Sequence, residues 1–312
     1  MKIFLDTKGT HIVVQRMKPI WKEMGHSLSF KPDKCDVQLS FVNIRKKTDL
    51  PLVLRLDGVY YDKGGGYKRR NSPIGKSHKR ATSVIYQSHL SKDMCEKYLA
   101  TRKTPFYEII YNGIEQNWCG ELKHHTTPII VSCAKWRRPK RLKETIEVFE
   151  HLLTMMDARL YIVGPMSKGC SKIVHERVKY FGHVKHDRMQ DLYRKADAYI
   201  HLCKKDSCPS TVVEAIGSGI PVVTTNACGG ATEMCNLTDG CEVIEGEPHS
   251  LEPDFIYNNE YNQLPKDVRK RLAKKLRNIL KEKRRVILPN ELTVEYMARR
   301  YIKVMKKAIK NK

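Results

Sequence analysis

The stretch DSCPSTVVEAIGSGIPVVTTNACGG, residues 206–230, decides the fold. It begins with a polar loop, continues from Pro209 as an apolar helical run that stops at Gly217 or Gly219, and ends in a β-branched run. The apolar segment AYIHL, residues 198–202, comes just before it. Strand, loop, helix and strand in this order are typical of a parallel sheet that is covered by helices on both faces. The stretch therefore predicts an α/β fold.

The same alternation runs through the whole chain, and eleven segments are predicted as strands. They are KIFLD, VQLSFV, LVLRLDG, SVIYQS and YEIIYNG in the first half, and PIIVSCA, RLYIVG, KYFGHV, AYIHLC, PVVTTN and CEVIE in the second. Helical periodicity marks RRPKRLKETIEVFEHLLTMM and DRMQDLYRKADA between them. The polar segment 112–128 is predicted as a linker. We expect two Rossmann-like domains, with parallel sheets facing a central cleft and a boundary at 122/123.

Composition limits the class of protein. The chain of 312 residues has no apolar run near the length of about 20 residues that a membrane span needs. Its N-terminus lacks the apolar core of a signal peptide, so we expect a cytoplasmic protein. None of the ten cysteines forms a C-x-x-C pair, which favours reduced thiols. The alternative, a metal cluster of Cys228, Cys235 and Cys241, lacks the tight ligand pairs of structural zinc sites.

The charge of the chain is strongly basic, at +24, and residues 266–312 hold 18 Lys and Arg against 4 Asp and Glu. Such an excess points to a polyanionic partner. One face of the segment LPKDVRKRLAKKLRNILKEKRR, residues 264–285, is apolar, which predicts a surface helix docked by that stripe. The stripe consists of Val268, Leu272, Leu276, Ile279 and Leu280. The charge also leaves open contact with an acidic membrane surface or with nucleic acid.

Ligands of open α/β sheets bind beyond the carboxyl ends of the strands, near helix N-termini. The loop and helix start after AYIHL fit a phosphate site: its residues are Ser207, Pro209 at the first helical position, Ser210 and Thr211. Glu214, one turn into the helix, is expected to accept hydrogen bonds from ribose hydroxyls. Lys135 and Lys140 follow the strand PIIVSC as a diphosphate clamp. At the ends of two further strands, Gly164, His183 and Val184 are expected to contact the nucleotide.

The spacing Asp206-x7-Glu214, followed by AIGSGIPVV, a second GG and Glu233, resembles the E-x7-E region of glycosyltransferase family 4. That family consists of retaining GT-B enzymes that use nucleotide sugars. SCAKWRRPKRL is similar to the family's Arg-x4-Lys loop, with Lys135 at the arginine position. The chain departs from the pattern at Asp206 and Lys135, and its first domain is small. The resemblance is to a compact form, of the kind that bacteria and large DNA viruses encode.

The resemblance implies transfer of a hexose from a nucleoside-diphosphate sugar, UDP-glucose or GDP-mannose first, to a hydroxyl of a glycan or other acceptor, with retention. Lys135 and Lys140 would oppose charge on the leaving diphosphate, and Asp206 would orient the donor sugar. The first domain, 1–122, would bind the acceptor, with Gly9, Thr10, Asp57 and Tyr60 as candidates. The donor domain would be 123–290, and a terminal helix, 291–312, would cross back to the first domain.

No metal or other cofactor is expected. The chain has no D-x-D motif, and its nearest imitation, Glu245-Gly-Glu247, is predicted to lie in a solvent loop. Three other functions stay open on the sequence: a basic nucleic-acid-binding α/β protein, a GT-B sugar-nucleotide epimerase, and a degenerate transferase that acts as a binding subunit. No zinc-finger, RRM or KH signature supports the first of these.

Overall fold

The computed structural model describes residues 1–7, 11–61, 65–99, 106–123, 125–247, 250–252 and 263–311. The chain forms two compact units, one of Met1–Ile114 with Asn290–Lys312 and the other of Glu115–Pro289. Each unit contains a six-stranded parallel sheet, which confirms the predicted α/β class. Among the described helices, none combines the length and the apolar character that crossing a bilayer requires.

The sheet of the first unit has the order β2-β1-β3-β4-β5-β6. Its strands are β1 (Lys2–Asp6), β2 (Ser27–Ser29), β3 (Val37–Phe41), β4 (Leu52–Leu56), β5 (Ser83–Tyr86) and β6 (Tyr107–Ile109). The sequence predicts all of these except β2, a three-residue edge strand that is too short to show a period. The helices of this unit are α1 (Ile12–Glu23), α2 (Tyr67–Arg80), α3 (His89–Leu99) and the last helix of the chain, Val294–Lys310.

Alternate residues of these strands pack into opposite layers, as the period of two requires. Val53 and Ile85 face α1 and the last helix, whereas Leu54 and Val84 face the side of α2 and α3. The last helix contributes eight buried side chains. They are Val294, Met297, Ala298, Tyr301, Ile302, Val304, Met305 and Ala308. Residues from both ends of the chain thus share one core.

The sheet of the second unit has the order β12-β11-β10-β7-β8-β9. Its strands are β7 (Ile129–Cys133), β8 (Arg159–Val163), β9 (Val178–Gly182), β10 (Ala198–His201), β11 (Val222–Thr225) and β12 (Glu242–Ile244). Its helices are α4 (Leu142–Leu153), α5 (His186–Arg194), α6 (Ser210–Gly217), α7 (Gly230–Asn236) and α8 (Lys266–Glu282). The last helix of the chain, Val294–Lys310, which belongs to the first unit, is α9. The sequence predicts all six strands of this sheet.

Helix α8 docks by the predicted apolar stripe. The five residues of the stripe are at most 6% exposed, and they share a core with α4 and the sheet. Each such burial contributes about 1.5–3 kcal/mol relative to an exposed side chain. The interpretation of this segment as a surface helix held by its apolar face is confirmed.

The segment predicted as a linker, 112–128, is not a free connection. Trp118 is 9% exposed, and its ring contacts His186 and Tyr193 at centroid distances of 5.2 and 5.5 Å. The backbone N–H of Trp118 donates to Gly217 O at 3.2 Å. The second unit begins at Glu115 and not at residue 123, because the segment around Trp118 packs on its helices. The polar residues beside Trp118 in the sequence do not indicate this packing.

Candidate active site

The carboxyl ends of β7 and β10 bring together the two charged residues that the sequence placed on separate loops. After β7, a short 3₁₀ turn, Arg138–Lys140, carries Lys140 to the edge of the sheet. After β10, which ends at His201, four residues lead to Asp206. The Nζ atom of Lys140 lies 2.5 Å from Oδ2 of Asp206. Both side chains are largely buried, at 15% and 21% exposure, so the ion pair is only partly screened by solvent.

The pair fixes the charge of both groups. Burial alone would lower the pKa of Lys140, but the contacts with Cys203 and Asp206 raise that pKa above its usual value. Burial would raise the pKa of Asp206, and Lys140 together with His201 more than reverses this, so the pKa of Asp206 is lowered. Lys140 is therefore an ammonium and Asp206 a carboxylate at neutral pH.

His201, the last residue of β10, lies behind Asp206 and was not singled out from the sequence. Its side chain is 4% exposed, and its Nε2 lies 3.9 Å from Oδ2 of Asp206. Burial, and then the charge of Lys140, lower the pKa of His201 to about 4, so the ring is neutral. A histidine within the otherwise apolar segment AYIHLC, which the sequence predicts as a strand, is the signal that would have identified it.

His201, Cys203 and Asp206 offer ligand atoms within 4.8 Å of one another, which is a spacing that a metal ion can use. A cation at this place would compete with the Lys140 ammonium for the Asp206 carboxylate. The ammonium group of Lys140 already contacts the Asp206 carboxylate. Burial is the main cause that raises the pKa of Cys203 to about 12, so its thiol is protonated at neutral pH. Within the described residues, the cation that contacts this carboxylate is the Lys140 side chain.

A short bridge holds the backbone of Asp206. Its N–H donates to Cys228 O at 3.2 Å, and its carbonyl oxygen accepts from Gly230 N at 2.8 Å. A Cβ atom on Gly230 would lie 2.0 Å from Ser207 O, so a side chain is excluded at that position. The second glycine of the GG pair therefore allows the loop of Asp206 and the start of α7 to approach each other.

Helix α6 begins beside Asp206. Pro209 is the residue before its first turn, with φ −68° and ψ 117°, rather than the first helical residue that we predicted. Ser210 and Thr211 form the first turn and are half-buried, and Thr211 O accepts from the Tyr193 hydroxyl at 2.7 Å. Tyr193 is fully buried, so it anchors the start of the helix to α5.

Glu214 is half-buried on α6. Its charge acts on Cys133 at the end of β7: burial first, and then the negative charge of Glu214, raise the pKa of the Cys133 thiol to about 12. Glu214 thus lies close to the end of the strand that precedes the loop of Lys140. This is the edge of the sheet at which the sequence predicts the ribose contact.

Gly164 closes the next part of the site. It follows β8 with φ +106°, and a Cβ atom on it would lie 2.0 Å from Ala134 O. Its N–H donates to Gly182 O at 2.7 Å, which joins the ends of β8 and β9. His183 is exposed and Val184 half-buried just beyond β9. Gly164 therefore serves the approach of two backbones.

Lys135 is exposed on the loop after β7. The neighbouring Trp136 is 1% exposed, and its indole N–H donates to Val163 O at 2.9 Å. The tryptophan fixes the start of this loop, so Lys135 is directed outward while Lys140 at the other end of the loop is directed inward. The two lysines that we predicted as a clamp therefore have different environments.

Glu247 does not lie in a solvent loop, and our prediction for it is wrong. It is 4% exposed, it forms a buried ion pair with Arg141, and it accepts a hydrogen bond from the Thr225 hydroxyl at 2.5 Å. A polar sequence context led to the error, since the partner residue is more than one hundred positions away in the chain. Carboxylates are rarely buried this deeply without such a partner.

In the first unit, Asp57 follows β4 and is held by three side chains. Arg55 lies 2.6 Å from its Oδ1, the Gln87 amide donates to the same oxygen at 2.5 Å, and His11 Nε2 lies 3.8 Å from Oδ2. Burial would raise the pKa of Asp57, but Arg55 and His11 lower it overall. His11 lies in the predicted loop TKGTH, where the sequence instead favoured Gly9 and Thr10.

Of the other residues predicted to bind the acceptor, the structure describes only Tyr60. Gly9 and Thr10 lie outside the described residues. Tyr60 is 41% exposed, and the guanidinium of Arg70 lies 3.5 Å from its ring centroid, so one face of the ring is covered by this chain. Asn71 donates to Tyr60 O at 2.6 Å and accepts from its N–H at 2.9 Å, which fixes the segment.

Known structures share this architecture. The structure of Anabaena HepE in complex with UDP-glucose superposes with a TM-score of 0.63 at 14% identity, over 98% of this chain and 99% of that one. A glycosyltransferase from Rickettsia africae superposes with a TM-score of 0.57 at 18% identity, over 98% and 84%. These likenesses concern the fold, which is GT-B, as the sequence predicts.

Sequence comparison supplies the family. The chain is 27% identical over 147 residues to N-acetyl-alpha-D-glucosaminyl L-malate synthase of Bacillus anthracis. The match covers 42% of this chain and 38% of that protein, so it spans well under half of the relative's length. Residues 116–275, about half of the chain and most of the second unit, match the glycosyl transferases group 1. The chain therefore belongs to the family of the glycosyl transferases group 1.

Proposed function

We propose that this glycosyltransferase moves a hexose from a nucleoside-diphosphate sugar to a hydroxyl of a glycan or another acceptor, with retention at the anomeric carbon and without a metal ion. The observation that carries the proposal is the contact of 2.5 Å between Lys140 and Asp206 at the edge of the second sheet. It joins a cation suited to a diphosphate with a carboxylate suited to sugar hydroxyls.

The chemistry requires that negative charge on the departing diphosphate be opposed as the sugar gains oxocarbenium character. Lys140 is a fixed ammonium, and free N–H groups at the start of α6, around Ser210 and Thr211, add partial positive charge. Lys135, exposed at the mouth of the same loop, is the second cation that a bound diphosphate would recruit. Side chains thereby take the role that a metal ion has in other transferases.

Asp206 is suited to bind hydroxyl groups of the donor sugar. Its Oδ2 is engaged by Lys140, and its carboxylate is about one fifth exposed. A carboxylate whose pKa is lowered is a weak base, and it stays ionised at neutral pH, so both of its oxygens can accept hydrogen bonds. The proposed mechanism is accordingly front-face attack, in which the leaving phosphate oxygen takes the proton of the acceptor and Asp206 orients the ring.

Glu214 is proposed to accept from the two ribose hydroxyls, and Gly164, His183 and Val184 to border the nucleobase. Anabaena HepE has been solved with UDP-glucose, and this supports UDP-glucose as the first donor to test, beside GDP-mannose. All ten cysteines are free thiols, which supports a reducing compartment such as the cytoplasm.

The test is a melting-temperature panel with UDP, GDP, UDP-glucose, GDP-mannose and a short single-stranded oligonucleotide. A ligand at 100 times its dissociation constant adds about 2.7 kcal/mol, which raises the melting temperature by several degrees. We expect one nucleotide and its sugar to stabilise the protein. Glu214→Ala should abolish the shift, whereas Glu150→Ala, an exposed carboxylate on α4, should leave it unchanged. Stabilisation by the oligonucleotide alone would instead support the nucleic-acid-binding alternative.

On the acceptor side, we propose that Asp57 accepts a hydrogen bond from the acceptor hydroxyl. Its carboxylate is held ionised by Arg55 and remains about one third exposed. Asp57→Asn should raise the KM for the acceptor and leave donor hydrolysis in the absence of acceptor unchanged. An equal loss in both reactions would place Asp57 outside acceptor binding.

The basic end of the chain supports contact with an acidic membrane surface. Arg299, Lys303, Lys306 and Lys310 recur at helical spacing along α9, and all four are exposed. A cation near an anionic bilayer contributes about 1 kcal/mol. Vesicles that contain phosphatidylserine should sediment the protein and pure phosphatidylcholine vesicles should not. Lys303→Glu with Lys306→Glu should abolish that sedimentation; its persistence would exclude this face.

A further inference from the structure

Arg141 has an unusual backbone between Lys140 and helix α4. Its φ of 54° and ψ of 51° lie in the left-handed region, which an arginine adopts only when surrounding contacts impose it. Its N–H donates to Arg138 O at 3.1 Å, and its carbonyl accepts from Thr145 N at 2.9 Å. The residue thus ends the 3₁₀ turn that carries Lys140 and directly precedes helix α4.

The side chain of Arg141 is held by a carboxylate from a distant part of the chain. It is fully buried, and its guanidinium pairs with Oε1 of Glu247, whose side chain is equally buried. The other carboxylate oxygen accepts from Thr225 at the end of β11. The Asn226 side chain donates to Glu247 O at 3.1 Å and accepts from Glu247 N at 3.2 Å. Glu247 is therefore locked at both its side chain and its backbone.

A second tie acts on the residue before Lys140. Pro139 O accepts from the N–H of Lys204, in the loop after β10, at 2.9 Å. Residues 139 and 141 thus both bind loops that follow strands of the sheet, and Lys140 between them contacts Asp206. A buried ion pair contributes little net stability compared with apolar packing of the same volume.

We infer that the buried Arg141–Glu247 pair is a positioning device that holds Lys140 against Asp206. Neither residue touches the reacting groups; both act through the backbone of residue 141. The positioning itself is independent of any ligand, and only its catalytic consequence rests on the proposed function. The two can therefore fail separately.

Amine labelling of the ligand-free protein tests the positioning. Acylating reagents react with the neutral amine, so Lys140 should react slowly in the native protein because Asp206 keeps it charged. Glu247→Gln removes the charge that holds Arg141, and we expect labelling of Lys140 to rise roughly tenfold, the change that one pKa unit gives. The matched control is Glu242→Gln. Glu242 pairs with Lys275 and Arg284 at 2.9 and 2.8 Å, in the segment just before Glu247, and its loss should leave Lys140 unchanged.

A second pair of variants keeps the test decisive if Glu247→Gln does not fold. Both double variants, Glu247→Gln with Arg141→Gly and Glu247→Gln with Arg141→Ala, remove the two buried charges. Glycine adopts the left-handed backbone at position 141 without strain, whereas alanine does not. Labelling of Lys140 should increase from the native protein to the glycine variant and again to the alanine variant. Equal labelling in the two would overturn the inference. Alkylation of Cys235, which is 3% exposed, reports global unfolding in each sample.

Nucleotide binding separates the two proposals. Glu247→Gln should weaken binding of UDP or GDP more than binding of the parent nucleoside, and Glu242→Gln should weaken neither. If Lys140 labelling rises as expected and the native protein binds no nucleotide, the positioning stands and the proposed function fails. If the native protein binds UDP or GDP and Lys140 labelling does not change, the positioning fails and the function stands.

Discussion

Asp206→Asn is expected to tighten the binding of a nucleoside diphosphate while it slows sugar transfer. In the structure the ammonium group of Lys140 already has a partner, since its Nζ lies 2.5 Å from the Asp206 carboxylate. A diphosphate must compete with Asp206 for that ammonium group. Asparagine keeps the size and one acceptor oxygen of aspartate but removes the negative charge that competes.

The magnitude follows from the geometry. A hydrogen bond between charged groups contributes about 1.5–3 kcal/mol to stability. The side chains of this pair are 15% and 21% exposed, so we take about 1–2 kcal/mol after screening. If that competition is removed, the dissociation constant for UDP or GDP falls by roughly 5- to 30-fold. Transfer should nevertheless slow, because the carboxylate proposed to orient the donor sugar is lost.

Isothermal titration with UDP and GDP measures the affinities, and hydrolysis of the nucleotide sugar measures turnover without a known acceptor. Lys140→Met serves as the opposite variant, because it should weaken the diphosphate and leave the nucleoside unchanged. The reasoning is refuted if Asp206→Asn weakens UDP and GDP as much as Lys140→Met does. That result would mean that Asp206 supports the phosphate site instead of competing with it.

Three further expectations concern stability. Gly164→Ala should lower the free energy of unfolding by about 2–3 kcal/mol, since the alanine Cβ would lie 2.0 Å from a carbonyl oxygen. Gly169→Ala is the control: its backbone also has a positive φ but the space around it is open, so the loss should be about 1 kcal/mol. Chemical denaturation measures both losses. His201 has a pKa of about 4 in the folded protein, so the free energy of unfolding should fall as the pH decreases from about 6.5 to 4, because only the unfolded chain binds the proton in that range. Thermal melts of His201→Gln should show a smaller fall over the same range. An identical fall in the variant would contradict a buried, neutral His201. Trp118→Ala should destabilise the second unit by about 3 kcal/mol in denaturant titrations, and a loss below 1 kcal/mol would mean that the segment is a simple linker.

The parts of the fold that depend on local pattern were predictable from the sequence. Eleven of the twelve strands in the described part of the chain follow from short β-branched runs, because a strand covered on both faces must be apolar throughout. The rule that sheets bind ligands at their carboxyl edge placed Lys140 and Asp206 in one region. Their direct contact links residues 66 positions apart, which no spacing within one segment encodes.

Other parts depend on tertiary partners and were missed for that reason. Glu247 stands in a polar stretch, and its burial becomes visible only when Arg141 meets it across the sheet. Trp118 is a single aromatic residue among polar neighbours, and its packing partners come from a helix about seventy positions later. His201 was visible as a polar residue in an apolar strand, but its role depends on the charge of Lys140 nearby.

The first unit is built from two separate pieces of chain, Met1–Ile114 and Asn290–Lys312, and this has a consequence during synthesis. Trp21 in α1 donates to Ala298 O in α9 at 3.0 Å, across a separation of 277 residues. A ribosome that has translated as far as residue 289 has therefore made every residue of the second unit, while the earlier unit still lacks the helix that covers one face of its sheet. Domains fold as units while the chain emerges, so the half that is translated first is completed last. A nascent chain cut short before α9 exposes that apolar face, and such a fragment is a natural target for chaperones and proteases.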